Sequence, residues 1–125
     1  MKKVLVVEDN PDNLKLISYA LKRCGYDVVS AVTGELGLEM ALKDTYSFII
    51  MDIDLPKMNG EETTRCIRRA PGGRDIPIIA ITSYAMAGDR ERILKAGCNG
   101  YFEKPIDPLT IMKEIHRVLG VEDNR

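Results

Sequence analysis

Four short stretches hold side chains that could do chemistry together: Glu8-Asp9, Asp52, Thr82-Ser83 and Lys104-Pro105. Each follows an apolar run. Glu8-Asp9 follows Val4-Leu5-Val6-Val7, Asp52 follows Phe48-Ile49-Ile50-Met51, and Thr82 follows Ile78-Ile79-Ala80-Ile81. Lys104 follows a shorter run that begins at Gly100. Three carboxylates gathered at one point repel one another, so a positive group must accompany them. A hard divalent cation with oxygen ligands and retained waters, Mg²⁺, suits that set. Lys104 adds a fixed ammonium and Thr82 a hydroxyl donor. A carboxylate nucleophile, a metal, an ammonium and a hydroxyl around one point are what phosphoryl transfer requires. Asp52 would attack in line, and the other groups would neutralise charge on the equatorial oxygens. Taken singly, each residue has an ordinary explanation: a helix cap for Asp52 or Thr82, first-turn acids for Glu8-Asp9, a solvated charge for Lys104. Their joint placement at the ends of different runs is what those explanations leave out.

The elements that must position these residues are legible from periodicity. Apolar runs at Lys3 to Val7, Asp27 to Ala31, Ser47 to Met51, Ile76 to Ile81 and Gly100 to Phe102 predict five strands. Three of them lack alternation, as strands covered on both faces do. The second and fifth are shorter or more polar and read as edges. Helical spacing fills the gaps. Asn10 caps and Pro11 opens a helix to about Cys24 with Leu14, Ile17 and Leu21 on one face, and Gly25 ends it. Further helices are expected after Thr33, around Thr63-Cys66-Ile67, from Ala87 to Ala96, and from Leu109 to Leu119. Repeated βα units with short connections predict an α/β doubly wound parallel sheet of five strands. In the order 2-1-3-4-5, strands one and three are neighbours, so Glu8, Asp9 and Asp52 converge at the carboxyl ends where such sheets keep their sites.

Composition removes several function classes. A chain of 125 residues predicts one domain: residues 1–120 as the folded unit, 121–125 as a short tail, with no output domain. Hydrophobic residues at 45% and charged residues at 30% exclude a disordered or fibrous chain. A net charge of -1 leaves no basic field for nucleic acid. The first apolar run stops at Glu8, too short for a signal peptide, and no run approaches a membrane span. Cys24, Cys66 and Cys98 form an odd set without C-x-x-C spacing, which suits a reducing cytoplasm rather than a disulfide framework.

Residues 2 to 120 resemble the receiver domain of two-component response regulators. The stretches that carry the likeness are Val4-Leu5-Val6-Val7-Glu8-Asp9-Asn10, Met51-Asp52-Ile53-Asp54-Leu55-Pro56 with Met58 and Gly60, Ile79-Ala80-Ile81-Thr82, and Ala96-Gly97 through Lys104-Pro105. The resemblance implies the flavodoxin-like (βα)5 fold, Asp52 as phospho-acceptor, and Glu8 and Asp9 as the acidic pair around Mg²⁺. Asp54 would lend its backbone carbonyl to the metal. Thr82 would be the switch hydroxyl, Tyr101 the switch aromatic, and Lys104 the phosphate-pairing lysine, with a cis bond to Pro105. Asn10 and Tyr84-Ala85-Met86 bring the chain nearest to stand-alone receivers of the DivK type and to receivers of hybrid kinases. Glu8 stands where Asp is frequent and is one methylene longer. Ser83 stands where Ala or Gly is frequent, and remains small.

The function so implied is a phosphorylation switch in a two-component system or phosphorelay. It takes phosphate from a sensor histidine kinase or a histidine phosphotransfer protein, then acts on a downstream protein target or relays the phosphate. It is not an enzyme in any other sense. Two other functions fit parts of the pattern. Asp52-Ile53-Asp54 resembles the nucleophile and acid of haloacid-dehalogenase phosphatases, although the acidic pair here lies upstream. A phosphorylation-independent interaction module would have no need of the complete site. On the first helix, Leu16 lies about 160° from Leu14 and cannot share the core stripe. Asn13, Leu16 and Ala20 therefore predict a second, mildly apolar strip for donor docking, completed by Pro105 and Ile106. His116 reads as a surface residue, and Arg65, Arg68, Arg69, Arg90 and Arg92 as solvated helix faces.

Overall fold

A computed structural model describes residues 2–83 and 88–120. Five strands and five helices alternate: β1 (Lys3–Val7), α1 (Pro11–Arg23), β2 (Asp27–Ala31), α2 (Gly34–Ala41), β3 (Phe48–Asp52), α3 (Gly60–Arg69), β4 (Ile78–Thr82), α4 (Asp89–Ala96), β5 (Gly100–Glu103) and α5 (Ile111–Leu119). All neighbouring strands are parallel, in the order β2-β1-β3-β4-β5. This is the doubly wound sheet expected from the run pattern.

The absence of alternation in the central strands has a direct structural cause. β1 from Val4 onward and all of β3 and β4 are buried on both faces. Val4, Val6, Phe48, Ile50, Ile79 and Ile81 meet Ile17, Leu21, Ile111 and Ile115 on the α1–α5 side. Leu5, Val7, Ile49, Met51, Ile78 and Ala80 meet Ala41, Ile67 and Ile93 on the other side. Successive side chains of a strand point to opposite faces, so both sets must be apolar. β2 and β5 are edges with exposed positions.

The helix starts follow their capping residues. Asn10 Oδ1 accepts the N–H groups of Asp12 and Asn13 at 2.9 and 3.0 Å, with Pro11 in the first turn. Asn59 Oδ1 accepts the N–H of Glu62 at 2.9 Å and closes a capping box. α5 starts two residues later than periodicity predicts. Asp107 holds the preceding turn instead, accepting the Leu109 N–H on Oδ1 and the Ile111 N–H on its carbonyl, both at 2.9 Å. β4 likewise begins at Ile78 rather than Ile76, because Pro77 has no N–H to pair. Gly88, at a left-handed φ of 93°, caps α4 rather than lying within it, so the helix starts at Asp89; Ala87, the Tyr84-Ala85-Met86 stretch and the tail 121–125 lie outside the described residues.

Four expectations fail in packing. His116 is buried, with 7% of its surface exposed, and its Nε2 lies 3.0 Å from the Tyr26 hydroxyl. It falls on the Ile111-Met112-Ile115 stripe of α5, which turns it inward. Arg68 is half-buried rather than on a solvated face; its guanidinium donates to the carbonyls of Gly97 and Gly73 and to Asn99 Oδ1 at 2.7–3.0 Å. Ala20, 2% exposed, belongs to the core stripe with Ile17 and Leu21. Ile106, 8% exposed, packs into the same cluster.

Candidate phosphoryl-accepting site

Strand register brings the four stretches to one level. Val7 pairs with Met51, so Glu8 lies beside Asp52, which itself pairs with Ile81. Thr82 pairs with Glu103, placing Lys104 one step beyond. Backbone bonds past the strand ends hold this register: Glu8 N–H to Ala31 O at 3.0 Å, Ile53 N–H to Ile81 O at 2.9 Å, and Lys104 N–H to Thr82 O at 2.8 Å. The first turn of α3 comes so close to the acceptor strand that a Cβ at Gly60 would lie 2.2 Å from the Asp52 carbonyl oxygen. Only glycine fits there.

Glu8, Asp52 and Thr82 are nearly sealed, with 1%, 2% and 1% of their surface exposed, whereas Asp9 stands at the exposed mouth. One carboxylate oxygen from each of Glu8, Asp9 and Asp52 lies within 4.8 Å of the others. Glu8 Oε2 accepts the Asn10 N–H at 3.1 Å, but Oε1 is buried without a hydrogen-bond partner. Burial, together with the neighbouring Asp52 carboxyl, pushes the Glu8 carboxyl up to about 7. An orphaned buried oxygen beside two further carboxylates fits a hard, oxygen-liganded cation, and the donor set fits Mg²⁺.

The counter-charge is Lys104. Its Nζ lies 3.0 Å from Asp52 Oδ1, 3.6 Å from Glu8 Oε1 and 3.8 Å from Asp54 Oδ2. Burial works to lower its pKa, but the Asp52 hydrogen bond and the charges of Asp52, Glu8 and Asp54 outweigh that and leave the ammonium above its ordinary value. Lys104-Pro105 is cis.

Asp54 enters the site in a way its sequence position does not announce. Its N–H donates to Asp52 Oδ1 at 2.9 Å. Its carboxylate accepts the Thr82 hydroxyl on Oδ1 at 3.0 Å and the Ser83 N–H on Oδ2 at 2.7 Å. The receiver resemblance assigns a role only to its backbone carbonyl. Tyr101 is half-buried against the Leu5–Met51 side of the sheet. Of the docking residues, Leu16 is 39% exposed, Asn13 half-buried and Pro105 exposed. Ala20 and Ile106 are turned into the core. On the flank, Arg65 and Arg92 both pair with Glu61 at the start of α3.

Residues 4–116 match the response regulator receiver domain. The chain is 38% identical over 119 residues to the polar-differentiation response regulator DivK of Brucella ovis, covering 95% of this chain and 97% of that protein. It is also similar to the receiver domain of a sensor histidine kinase from Pseudomonas aeruginosa PAO1, solved with a magnesium ion coordinated in the active site cleft. That domain is 39% identical with a TM-score of 0.86, over 95% of this chain and 98% of the other. A chemotaxis protein of Vibrio cholerae aligns with a TM-score of 0.88 at 30% identity, over 94% and 98% of the two chains.

Proposed function

The chain belongs to the response regulator receiver domain family, and from that premise we propose that Asp52 accepts a phosphoryl group from a phosphohistidine donor. The observation that carries this reading is the convergence of Glu8, Asp9 and Asp52 oxygens within 4.8 Å, faced by the Lys104 ammonium. A carboxylate oxygen of Asp52 forms the new bond to phosphorus. The donor's P–N bond breaks, and the departing imidazole nitrogen keeps the electron pair. Lys104 orients Asp52 before transfer and meets the incoming oxygens during it. Thr82 supplies a hydroxyl donor on the β4 side, and Tyr101 on β5 rotates as Thr82 moves.

Glu8, Asp9, Asp52 and the Asp54 backbone carbonyl would hold Mg²⁺. When bound, the cation supplies positive charge that lets an anionic phosphoryl group approach three carboxylates. The protein is a signalling component of a two-component system. Its proposed donor is a sensor histidine kinase or histidine phosphotransfer protein; its output is binding to a protein target or onward relay. The proposed setting is the cytoplasm, with neither membrane nor nucleic acid as a partner; among the described residues no helix is long and apolar enough to cross a membrane. The chain spans 97% of the length of that DivK, so the comparison covers nearly the whole of that relative. Self-directed transfer is the only catalysis proposed. The haloacid-dehalogenase reading finds no support, since the Asp54 carboxylate is taken up by Thr82 and Ser83 rather than held free as a general acid.

Incubation with acetyl phosphate and Mg²⁺ tests the proposal. Intact mass should rise by one phosphoryl group, and Asp52→Asn should remove the increment. Stoichiometric labelling of that variant would show that the acceptor lies elsewhere.

A further inference from the structure

The Asp54 carboxylate already does what a phosphoryl group on Asp52 would have to do. It presents two anionic oxygens to the β4 side of the site, one to the Thr82 hydroxyl at 3.0 Å and one to the Ser83 N–H at 2.7 Å. Its Oδ2 also lies 3.8 Å from Lys104 Nζ. Its own N–H is tied to Asp52 Oδ1, which anchors the surrogate beside the acceptor. Bonds to an ionised acceptor are the stronger kind of hydrogen bond. Hence the Thr82 hydroxyl and the Ser83 N–H are engaged before any phosphate arrives.

We infer that Asp54 is a positioning residue that latches Thr82 and Ser83 in the unphosphorylated arrangement and competes with the phosphoryl group for both donors. The inference rests on Asp52 being the acceptor and Thr82 the moving hydroxyl. An aspartyl phosphate carries about -1.5 to -2 charge and three acceptor oxygens. It exceeds the carboxylate in charge and in acceptor number, and it repels Asp54 while doing so. The side chain of Asp54 is 20% exposed, so it has solvent to swing into once displaced. Before phosphorylation the latch opposes spontaneous switching, because moving Thr82 toward Asp52 breaks two charge-assisted bonds. The resting protein is thereby held off by a defined contact rather than merely lacking a signal. Any ligand that shifts the equilibrium must supply more differential affinity than the latch.

The test uses amide NMR of the full chain with beryllofluoride as the phosphoryl mimic at saturating Mg²⁺, and acetyl phosphate labelling of the wild type as its control. For each variant, the beryllofluoride-free positions of the β5 amides, Gly100 to Glu103, are placed on the wild-type line joining the free and beryllofluoride-bound states. Asp54→Ala should lie measurably along that line without beryllofluoride and reach half-saturation at about tenfold less of it, as expected for loss of one or two charge-assisted bonds. Asp54→Asn, which keeps the shape and one acceptor oxygen, should fall between Asp54→Ala and the wild type. That graded order is a signature that general loosening of the loop does not produce. Both variants resting at the wild-type free position with unchanged half-saturation would overturn the latch while leaving the acceptor assignment intact. If Asp54→Ala does not fold, Asp54→Asn alone decides: displacement along the line supports the latch, and the wild-type position overturns it. A wild type that acetyl phosphate fails to label would overturn the acceptor reading and the latch with it.

Discussion

Charged side chains are drawn inward at both ends of the β3–β4–β5 half of the sheet, and the two ends treat them oppositely. At the amino ends of β4 and β5, the Arg68 guanidinium donates to Gly97 O, Gly73 O and Asn99 Oδ1 at 2.7–3.0 Å. Asn99 Oδ1 in turn accepts the Ile78 N–H at 2.9 Å. Every partner there is neutral and geometrically matched. At the carboxyl ends, Glu8, Asp52 and Asp54 surround one ammonium with Asp9 beside the first two, and Glu8 Oε1 is left without a hydrogen-bond partner. The first arrangement ties α3 to the turns that follow it and follow α4, and engages four of the guanidinium's five N–H donors. The second stays open to an ion and an anion. Burial of charge alone does not mark a functional site. An acceptor set that the protein's own donors do not fill does.

The largest expected effect separates the two ends outright. Asp52→Asn should abolish labelling by acetyl phosphate, whereas Arg68→Ala should leave stoichiometric labelling by intact mass. Chelation of Mg²⁺ should suppress labelling of the wild type as the Asp52 substitution does, since the incoming anion would then meet the carboxylates unscreened.

Stability should report the opposite ranking. Arg68→Ala removes the donors of two carbonyls and one amide oxygen, and should lower unfolding free energy by about 2–3 kcal/mol in urea titrations. Asp52→Asn removes one of several crowded anions and should cost nothing comparable. A small loss for Arg68→Ala would mean that water replaces the guanidinium, and the two ends would then not differ in this way.

A third effect is smaller and depends on pH. The folded Glu8 carboxyl titrates near 7, above its ordinary 4.5. Its contribution to stability is complete below about pH 4.5 and is lost as pH rises through about 7, because the unfolded chain releases that proton first. Metal-free Glu8→Gln should therefore match the wild type near pH 4.5 and exceed it at pH 8 in denaturant midpoint. Added Mg²⁺ should stabilise the wild type more at pH 8 than at pH 5, and the Gln variant less at either.

The smallest effect concerns the outer face of α1. Leu16→Glu should slow transfer from the cognate phosphodonor about tenfold, on the order of 1.4 kcal/mol, while acetyl phosphate labelling stays near the wild-type rate. Equal losses with both donors would mean that Leu16 supports the fold. With Ala20 and Ile106 in the core, Leu16, Asn13 and Pro105 remain as the expected contact surface.

The parts of this molecule visible in its sequence are those set by local pattern. Unalternated runs gave away β1, β3 and β4, and Asn10-Pro11 gave away the start of α1. Glu8, Asp52, Thr82 and Lys104 were legible because each directly ends or follows a run whose neighbours in the sheet can be deduced. Ala20 and His116 carried a local signal too, since each falls on the apolar stripe of its helix, but Ala20 also lies one turn from the exposed Leu16, and the polar type of His116 argued the other way. Arg68 and the Asp54 carboxylate carried none. Their partners are 29 residues or so distant, at Gly97 and at Thr82-Ser83, and which donors a side chain meets there depends on loop geometry rather than on periodicity.

The wiring of the sheet also fixes when the site can exist during folding. Strands paired in parallel are never joined by a tight turn, so each contact in this sheet waits for a crossover to close. Glu8, Asp52, Thr82 and Lys104 come from the ends of four different strands, with β1 and β5 at the two extremes of the chain. An emerging or half-docked chain can contain one of these groups beside another, but the ammonium meets the carboxylates only after β5 has been laid against β4. The full constellation proposed to accept a phosphoryl group is thus a property of the finished sheet alone, and a chain that stalls or frays at the last βα unit lacks the Lys104 counter-charge.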